Sequence, residues 1–252
     1  MTRPVGEFRD SASEIGRFGR GSRTWTWISG GQHMRDGGRY KAQGVEAEFE
    51  PGSRGRVLQN LAGIRSVREM ARRESEALLA ATERSIDETA VEQRFTAEDV
   101  CRMHRLWLGE IYPWAGAYRQ VNMEKDGFPF AAANQVPRLM LEFEREVLRK
   151  FTPCRFDDAD EQAHALGVVH AELILIHPFR EGNGRCARLL ATLMALQAEL
   201  PALDFRGIRG DEKRRYIAAI QAAMGRDYTP IARIFRAVIA RTLRSQAKVL
   251  RG

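Results

Sequence analysis

The sequence predicts an all-α protein that carries one short β-hairpin. Along most of the 252 residues, apolar side chains recur every three or four positions, which is the spacing of a buried helix face. Several of these runs follow helix-start signals, such as Thr96 with acids at positions 98 and 99. The stretch around Asp126-Gly127 differs, because polar and apolar residues alternate weakly there and Asp-Gly favours a tight hairpin turn.

The chain is expected to divide into four parts. Residues 1–40 are rich in Gly, Ser and Arg and show no sustained periodicity, so they predict a poorly ordered leader. Residues 41–95 are expected to form a helical extension, with two amphipathic helices between residues 54 and 90. The main domain should cover residues 96–240, followed by a basic C-terminal tail at residues 241–252.

Six helices are predicted in the main domain. Thr152-Pro153 and Leu200-Pro201 end two of them, since proline cannot continue a helix. The expected starts lie near Thr96, Val136, Asp158, Cys186, Asp211 and Thr229.

Most histidines of these helices have a structural interpretation. His104 and His170 lie on apolar faces, where a hydrogen-bonded core histidine is the preferred interpretation, and His164 is expected to be exposed. The seven-residue spacing of His170 and His177 also permits a shared metal site. We prefer a structural His170, because the sequence offers no third ligand nearby.

The composition is that of a globular protein, with 44% hydrophobic and 29% charged residues. No stretch approaches the roughly 18 consecutive apolar residues of a membrane span, and the first residues lack the apolar centre of a signal peptide. The three cysteines are far apart and not at metal-binding spacing, which argues against a disulfide framework. A cytoplasmic location without membrane contact is therefore expected.

Positive charge is concentrated near the C-terminus. The whole chain carries a net charge of +7, whereas residues 205–252 alone carry +9. Such a basic face could meet nucleic acid or an acidic partner. A solvated helix face is preferred because no aromatic residues are interleaved with the charges, so nucleic-acid binding is not the expected function.

The stretch most informative about function is the break between two helical runs at residues 177–185. Pro178 and two glycines predict a sharp loop, and glycine admits backbone conformations in which consecutive N–H groups point the same way. Asn183 is expected to cap the helix that follows. Free N–H groups at a helix N-terminus form an anion site, for which phosphate is the natural ligand.

Side chains beside this loop are of the types that phosphate transfer requires. Arg185 and Arg188 offer guanidinium forks suited to phosphate oxygens. Glu181 is the residue type that holds Mg²⁺ against substrate phosphates. His177 is the residue type that takes a proton from an attacking hydroxyl near neutral pH. The sequence thus predicts a phosphate-transfer site within twelve residues.

These residues resemble the signature of the Fic family, H-x-F-x-[DE]-G-N-G-R-x-x-R. All eight fixed positions match, and the matching residues are His177, Phe179, Glu181, Gly182, Asn183, Gly184, Arg185 and Arg188. Upstream, the segments 112–116, 118–119 and 128–130 together with Lys125 resemble the hairpin, or flap, with which the family binds its targets. The resemblance extends from about Thr96 to Ile239 and implies a Fic-type helical bundle.

The resemblance implies a protein adenylyltransferase, or AMPylase. AMP would move from ATP to a Tyr, Ser or Thr hydroxyl of a target protein, and pyrophosphate would leave. His177 would be the catalytic base, Glu181 would hold Mg²⁺ between the α- and β-phosphates, and Phe179 would pack to fix the loop. The residues implied to contact ATP are Gly182, Asn183, Gly184, Arg185, Arg188 and Lys125.

The same resemblance implies that a target segment binds to the flap as an added strand. The implied contact residues are Lys125, Asp126, Gly127, Phe128 and Phe130. Lys125 and Phe130 are the first candidates among them, although a core anchor is an equal alternative for Phe130. Arg119 and Asn122 are expected only to hold the turn in place.

Regulation by a second protein is also expected. Many Fic proteins restrain themselves through [ST]-x-x-x-E-[GN], a motif that neither side of the signature contains here. We therefore expect a small antitoxin-like inhibitor, and a homo-oligomer remains open.

Other functions are compatible with parts of the pattern. A related enzyme could transfer UMP, phosphate or phosphocholine, or could remove AMP. The intact run from Glu181 to Arg185 favours AMP transfer over the phosphorylating branch typified by Doc, which is altered after the acid. A non-catalytic module could bind only nucleotide or nucleic acid, but the presence of both His177 and Glu181 argues against it.

Overall fold

The computed structural model describes residues 41–43, 46 and 48–250. The leader predicted at residues 1–40 lies outside the described residues. Within the described part, the helices are α1 Val67–Glu88, α2 Ala97–Leu108, α3 Val136–Phe143, α4 Arg149–Phe151, α5 Ala159–Ile176, α6 Asn183–Gln197, α7 Asp211–Ala222 and α8 Thr229–Val249. A π-helical turn, Glu144–Leu148, joins α3 to α4, so the helix predicted over residues 136–151 is present with one widened turn.

Local capping chemistry explains where two main-domain helices begin. Thr96 and Asp99 form a reciprocal capping box at the start of α2, as the sequence predicted. The Asp158 carboxylate accepts hydrogen bonds from the amides of Asp160 and Glu161 and caps α5. In both helices, the residues that set the start lie within one turn of the N-terminus.

The prediction of two helices between residues 54 and 90 is wrong. A single helix, α1, forms there, and it begins after the N-cap Ser66. The Asn60 side chain holds the preceding segment as a loop, because it donates to the Leu58 and Ile64 carbonyls at 3.1 and 2.9 Å and accepts from the Ile64 amide. An asparagine that bonds its own local backbone in this way competes with helix formation.

The predicted hairpin is confirmed. Strands β2 Asn122–Lys125 and β3 Phe128–Pro129 pair antiparallel with Lys125 opposite Phe128. Asp126 and Gly127 both have positive φ values, 51° and 79°, which a two-residue type I′ turn requires. A further strand, β1 Lys41–Gln43, pairs antiparallel with β2 and gives a sheet of order β1-β2-β3. That strand was not predicted.

The core is built around α5. From Leu166 to Ile176 every residue of this helix is buried, as expected for a helix enclosed by neighbours on all sides. Gly167 allows α8 to approach closely, since a Cβ there would lie 3.2 Å from the Ala232 amide nitrogen. The end of α5 and the start of α6 are thereby held in the middle of the molecule.

A smaller apolar cluster fixes α1 against α2. Its buried residues are Val57, Met70, Ala81, Trp107, Leu108, Ile111 and Tyr112.

The three cysteines are buried and free, so none of them forms a disulfide. Among the described residues, no helix combines the length and the apolar character needed to cross a bilayer.

Candidate functional site

The loop between α5 and α6 has the sharp geometry that the sequence predicted. His177 ends α5 in the left-handed conformation (φ 53°, ψ 59°), and Gly182 precedes α6 with φ 84°. A Cβ at Gly182 would lie 2.6 Å from the Trp107 ring. Both the backbone angle and the close ring therefore require glycine at this position.

Asn183 does not cap α6 as predicted, because Gly182 occupies the N-cap position. Instead, the Asn183 side chain accepts from the Phe179 amide at 2.8 Å and donates to the Phe179 carbonyl at 2.7 Å. Phe179 is fully buried and stacks on His104 with ring centroids 3.8 Å apart. These contacts close the loop on itself and hold the N-terminus of α6 in place.

The N-terminus of α6 suits an anion. Asn183 and Gly184 form its first turn, where helix geometry leaves N–H groups without intrahelical acceptors. A Cβ at Gly184 would meet no atom within 4 Å, so packing does not require glycine there. A ligand that approaches the backbone closely would require it, which fits a phosphate group.

His177 is held in the state needed for a base. Its ring is 3% exposed, stacks on Phe130 at 3.6 Å and places Nδ1 3.1 Å from the Ile174 carbonyl. Because a carbonyl only accepts, Nδ1 carries the proton and Nε2 is the acceptor nitrogen. Burial, with smaller contributions from Arg119 and Lys125, lowers the pKa of His177 to about 3. A nearby anion would raise that pKa again.

Two carboxylates share Arg185. Its Nη2 donates to Glu181 Oε1 at 3.2 Å, and its Nη1 donates to Glu74 Oε2 at 2.7 Å. The guanidinium carbon lies 4.4 Å from the Trp107 ring centroid. Sequence analysis missed Glu74, although an acid in the apolar stripe formed by Met70 and Ala81 was a usable signal.

Two histidines interpreted as structural are confirmed as such. His104 accepts from the Gly116 amide at 2.8 Å, and its Nε2 lies 3.0 Å from the Glu181 carbonyl, so it ties α2 to the loop. His170 contacts the Ala187 carbonyl and the Tyr216 hydroxyl. Burial lowers the pKa of His104 to about 4 and that of His170 to about 3. Within the described ranges, no group of three His, Cys, Asp or Glu residues is arranged to hold a metal ion.

The flap contacts His177 through Phe130. Phe130 and Phe128 are half-buried with ring centroids 5.7 Å apart, and Phe130 contacts His177 instead of joining the apolar core. Lys125 is near enough for its charge to lower the pKa of His177. Asp126 and Gly127 are exposed at the tip of the hairpin.

Arg188 lies about one turn beyond Arg185 on α6. It is exposed on α6, and its guanidinium carbon is 5.9 Å from the Phe205 ring centroid. It borders an open cavity of about 510 Å³ formed with residues 202–206. The other predicted site residues lie on the loop, on the first turn of α6 or on the flap.

Arg119 does more than hold the turn. Its side chain is 1% exposed and donates to the carbonyls of His177 (2.7 Å), Val121 (2.6 Å), Ala131 (2.5 Å) and Ile176 (3.4 Å). Burial lowers its pKa to about 10. Arg119 thus joins both ends of the flap to the C-terminus of α5, where a cation also favours the helix dipole.

Replacing Arg119 with methionine should reduce the free energy of unfolding by about 3 kcal/mol or more, because several buried carbonyls would lose a charged donor. Chemical denaturation measures this change. Arg138 is a matched control, since its side chain is 46% exposed and donates only to nearby side chains, those of Gln135 and Glu142, among the described residues. Arg138→Met should cost below about 1 kcal/mol. Equal losses for both variants would contradict the assignment.

Comparison with known proteins agrees with this arrangement. Residues 94–195 match the family model described as the Fic/DOC family. Protein adenylyltransferase VbhT of Bartonella schoenbuchensis is 29% identical over 196 residues, which is 78% of this chain and 40% of that protein. Protein adenylyltransferase Fic of Nematostella vectensis is 27% identical over 155 residues, 60% of this chain and 34% of that one. The chain therefore spans well under half the length of these relatives.

Solved structures share the fold. BepC, a VirB-translocated effector of Bartonella tribocorum with bound AMPPNP, matches with a TM-score of 0.60 at 23% identity over 72% of this chain and 91% of that one. The N-terminal Fic domain of a Bep effector from Bartonella quintana with bound ADP matches with a TM-score of 0.62 at 23% identity over 75% and 92%. A helical bundle with this loop and flap defines a Fic-type domain. The similarity to the Fic/DOC family covers residues 94–195 of the chain.

Proposed function

We propose that the protein is a protein adenylyltransferase, which moves AMP from ATP to a Tyr, Ser or Thr hydroxyl of a target protein and releases pyrophosphate. The observation that carries this proposal is the bond from His177 Nδ1 to the Ile174 carbonyl, because it makes Nε2 the acceptor nitrogen, in the loop that leads into α6. The names of the similar adenylyltransferases and the nucleotides in the similar structures support it.

In the proposed reaction, His177 Nε2 takes the proton of the target hydroxyl. The hydroxyl oxygen attacks the α-phosphorus of ATP, and the bond from that phosphorus to the bridging oxygen of the β-phosphate breaks. The backbone N–H groups at Gly182–Gly184 would stabilise the charge that builds on the α-phosphate oxygens. The lowered pKa of His177 keeps the imidazole neutral before ATP binds, and the charge of the nucleotide would raise its basicity.

The phosphates would be held by the start of α6 and its arginines. Arg185 would grip the outer phosphates, exchanging its bond to Glu181 for a phosphate oxygen, and Arg188 would reach the γ-phosphate. Asn183 would contribute through its backbone, since its side chain bonds Phe179. Lys125 would contact the nucleotide from the flap side.

Glu181 is the residue proposed to hold Mg²⁺. The ion, when bound, would neutralise charge on the α- and β-phosphates. One protein carboxylate is enough for this role, because Mg²⁺ takes its remaining ligands from the phosphates and from water. Glu181 is 7% exposed and pairs with a cation, Arg185, whose place beside the carboxylate a metal ion could take.

Glu181→Ala should remove most of the dependence of ATP affinity on Mg²⁺. Calorimetric titration with ATP, with and without Mg²⁺, measures this difference. We expect the wild type to bind about tenfold or more tightly with the ion and the variant to gain little from it. Glu161→Ala, which changes an exposed acid at the start of α5, is the control and should keep the wild-type response. An unchanged Mg²⁺ effect in the Glu181 variant would contradict the metal assignment.

The target protein would dock on the flap, formed by Lys125, Asp126, Gly127, Phe128 and Phe130. Because β1 covers the β2 edge, a target segment would add along Phe128–Pro129. Such a segment would bring its hydroxyl past Phe130, which stacks on His177.

The proposal also covers the domain boundaries and the partners of the protein. We propose that residues 96–240 form the Fic domain, residues 41–95 an extension and residues 241–252 a basic tail. A small antitoxin-like protein would inhibit the enzyme, and a homo-oligomer would be compatible with the proposed activity. Co-purification from the native host tests for the inhibitor.

Labelled nucleotide separates this activity from its alternatives. Incubation of the purified protein with host proteins, Mg²⁺ and ATP labelled on the α-phosphate should transfer the label to protein, whereas label on the γ-phosphate should appear only in pyrophosphate. Transfer of γ-label would indicate a kinase, and competition by UTP would indicate UMP transfer. Intact-mass analysis of the modified proteins would identify the attached group and the target.

A further inference from the structure

We propose that Glu74 is a positioning residue for Arg185, which it holds in place for the phosphates of the nucleotide. This inference depends on the proposed function, because that function assigns Arg185 to ATP. Glu74 lies on α1, outside the residues 94–195 that match the family model. A residue of the N-terminal extension therefore reaches the candidate site.

Glu74 is held as firmly as a core residue. It is 3% exposed, and its Oε1 accepts from the Tyr112 hydroxyl at 2.8 Å while its Oε2 accepts from Arg185 at 2.7 Å. Its backbone carbonyl accepts from Trp107 Nε1 at 2.8 Å. The Arg185 guanidinium also lies over the Trp107 ring. Arg185 is therefore held by Glu74 of α1 and Trp107 of α2.

The two terminal nitrogens of Arg185 bind different carboxylates. Nη1 goes to Glu74, and Nη2 goes to Glu181 at the longer distance of 3.2 Å. Without Glu74, the i,i+4 spacing would let Arg185 turn fully onto Glu181, and arginine favours bidentate pairing with a carboxylate. Such a pair would occupy both the phosphate ligand and the proposed metal ligand. Glu74 therefore keeps one end of the fork available for exchange with a phosphate oxygen.

A buried acid at this position has a cost that packing does not explain. A carboxylate removed from water is unfavourable unless it is paired, and an apolar residue would fill the same space between α1 and α2. The other buried residues of α1 are the apolar Met70 and Ala81 and the small, uncharged Ser85. The charge is thus explained by its partner, Arg185, rather than by the helix interface.

Titration calorimetry with Mg-ATP tests this role. Glu74→Ala should weaken binding about 10- to 100-fold, as loss of a residue that orients a ligand-binding group typically does. Glu74→Gln should weaken it less, because the amide can still accept from Arg185. If the alanine variant does not fold, the isosteric glutamine variant carries the test. Met70→Ala, a buried change one turn earlier on α1, should lower thermal stability but leave ATP affinity near the wild-type value.

A double-mutant cycle separates positioning from general destabilisation. In an Arg185→Ala background, Glu74→Ala should have little further effect on ATP affinity, because Glu74 acts through Arg185. An equal loss in both backgrounds, an unchanged affinity or tighter binding by Glu74→Ala would each overturn the inference. A wild-type chain that binds no Mg-ATP would overturn the proposed function itself, whereas wild-type binding with an unaltered Glu74 variant would overturn only the role of Glu74.

Discussion

Replacing His177 with alanine is expected to abolish transfer of α-labelled AMP to protein, with a loss of about 10²- to 10⁴-fold or more. The change removes the proposed base, Nε2, but takes no N–H donor from the start of α6, which begins at Asn183. ATP affinity should therefore stay within about threefold of the wild type. Transfer of label and titration calorimetry measure the two quantities on the same preparation.

A second histidine variant serves as the control for this experiment. His164 is exposed on α5, and His164→Ala should keep both activity and affinity. Undiminished transfer by His177→Ala would defeat the assignment of the base. A joint loss of transfer and ATP binding would instead mean that His177 supports the loop rather than the chemistry.

Features set by local interactions were predictable from the sequence. The capping box at Thr96, the cap at Asp158 and the Asp126-Gly127 turn each depend on residues within a few positions of one another. The same holds for the loop at residues 177–182, whose glycine and proline break the helical pattern. For these elements, local spacing was enough to predict where the helix or strand is interrupted.

Features set by distant contacts were not predictable. One local contact also went against the pattern: the helical spacing of residues 57–64 predicts a helix, but the Asn60 side chain bonds the backbone two and four residues away and holds a loop. Asn183 had the residue type of a cap, yet the fit of Trp107 against Gly182 placed the glycine at that position. Strand β1 depends on pairing with residues about 80 positions away, which periodicity does not report.

The candidate site divides in the same way. His177, Glu181, Gly184 and Arg185 could be named because they lie within one short motif. Glu74 comes from a helix more than 100 positions earlier than Arg185, and only the fold brings the two together. The sequence indicates Arg119 only as a residue that holds the turn. Its role in joining the flap to α5 depends on four carbonyl groups that only the tertiary structure brings together.

Mild acid is expected to destabilise the fold strongly, because the protein has three buried histidines. His104, His170 and His177 have pKa values lowered by burial to about 4, 3 and 3. In the unfolded chain each would return to about 6.5. As the pH falls below about 6.5, the unfolded state binds protons that the folded state does not, so folding stability decreases.

The expected loss is large compared with the stability of a typical domain. With three such groups, linkage gives a decrease of about 6 kcal/mol between pH 7 and pH 5, against about 5 to 15 kcal/mol for a whole domain. Carboxylates contribute little in this window, because they titrate mainly below about pH 4.5. Chemical denaturation at half-unit intervals of pH measures the slope directly.

Removing one of the three histidines should make the slope about one third shallower, because one proton fewer is taken up on unfolding. His177→Ala provides this variant, and the slope is the informative quantity, since the cavity it leaves shifts stability at every pH by a similar amount. His164→Ala removes an exposed ring and should change the slope much less. A free energy of unfolding that stays level from pH 7 to pH 5 would mean that water or a hydrogen-bond partner reaches these imidazoles and lets them ionise in place. Burial would then not be what keeps the His177 imidazole neutral and able to act as a base.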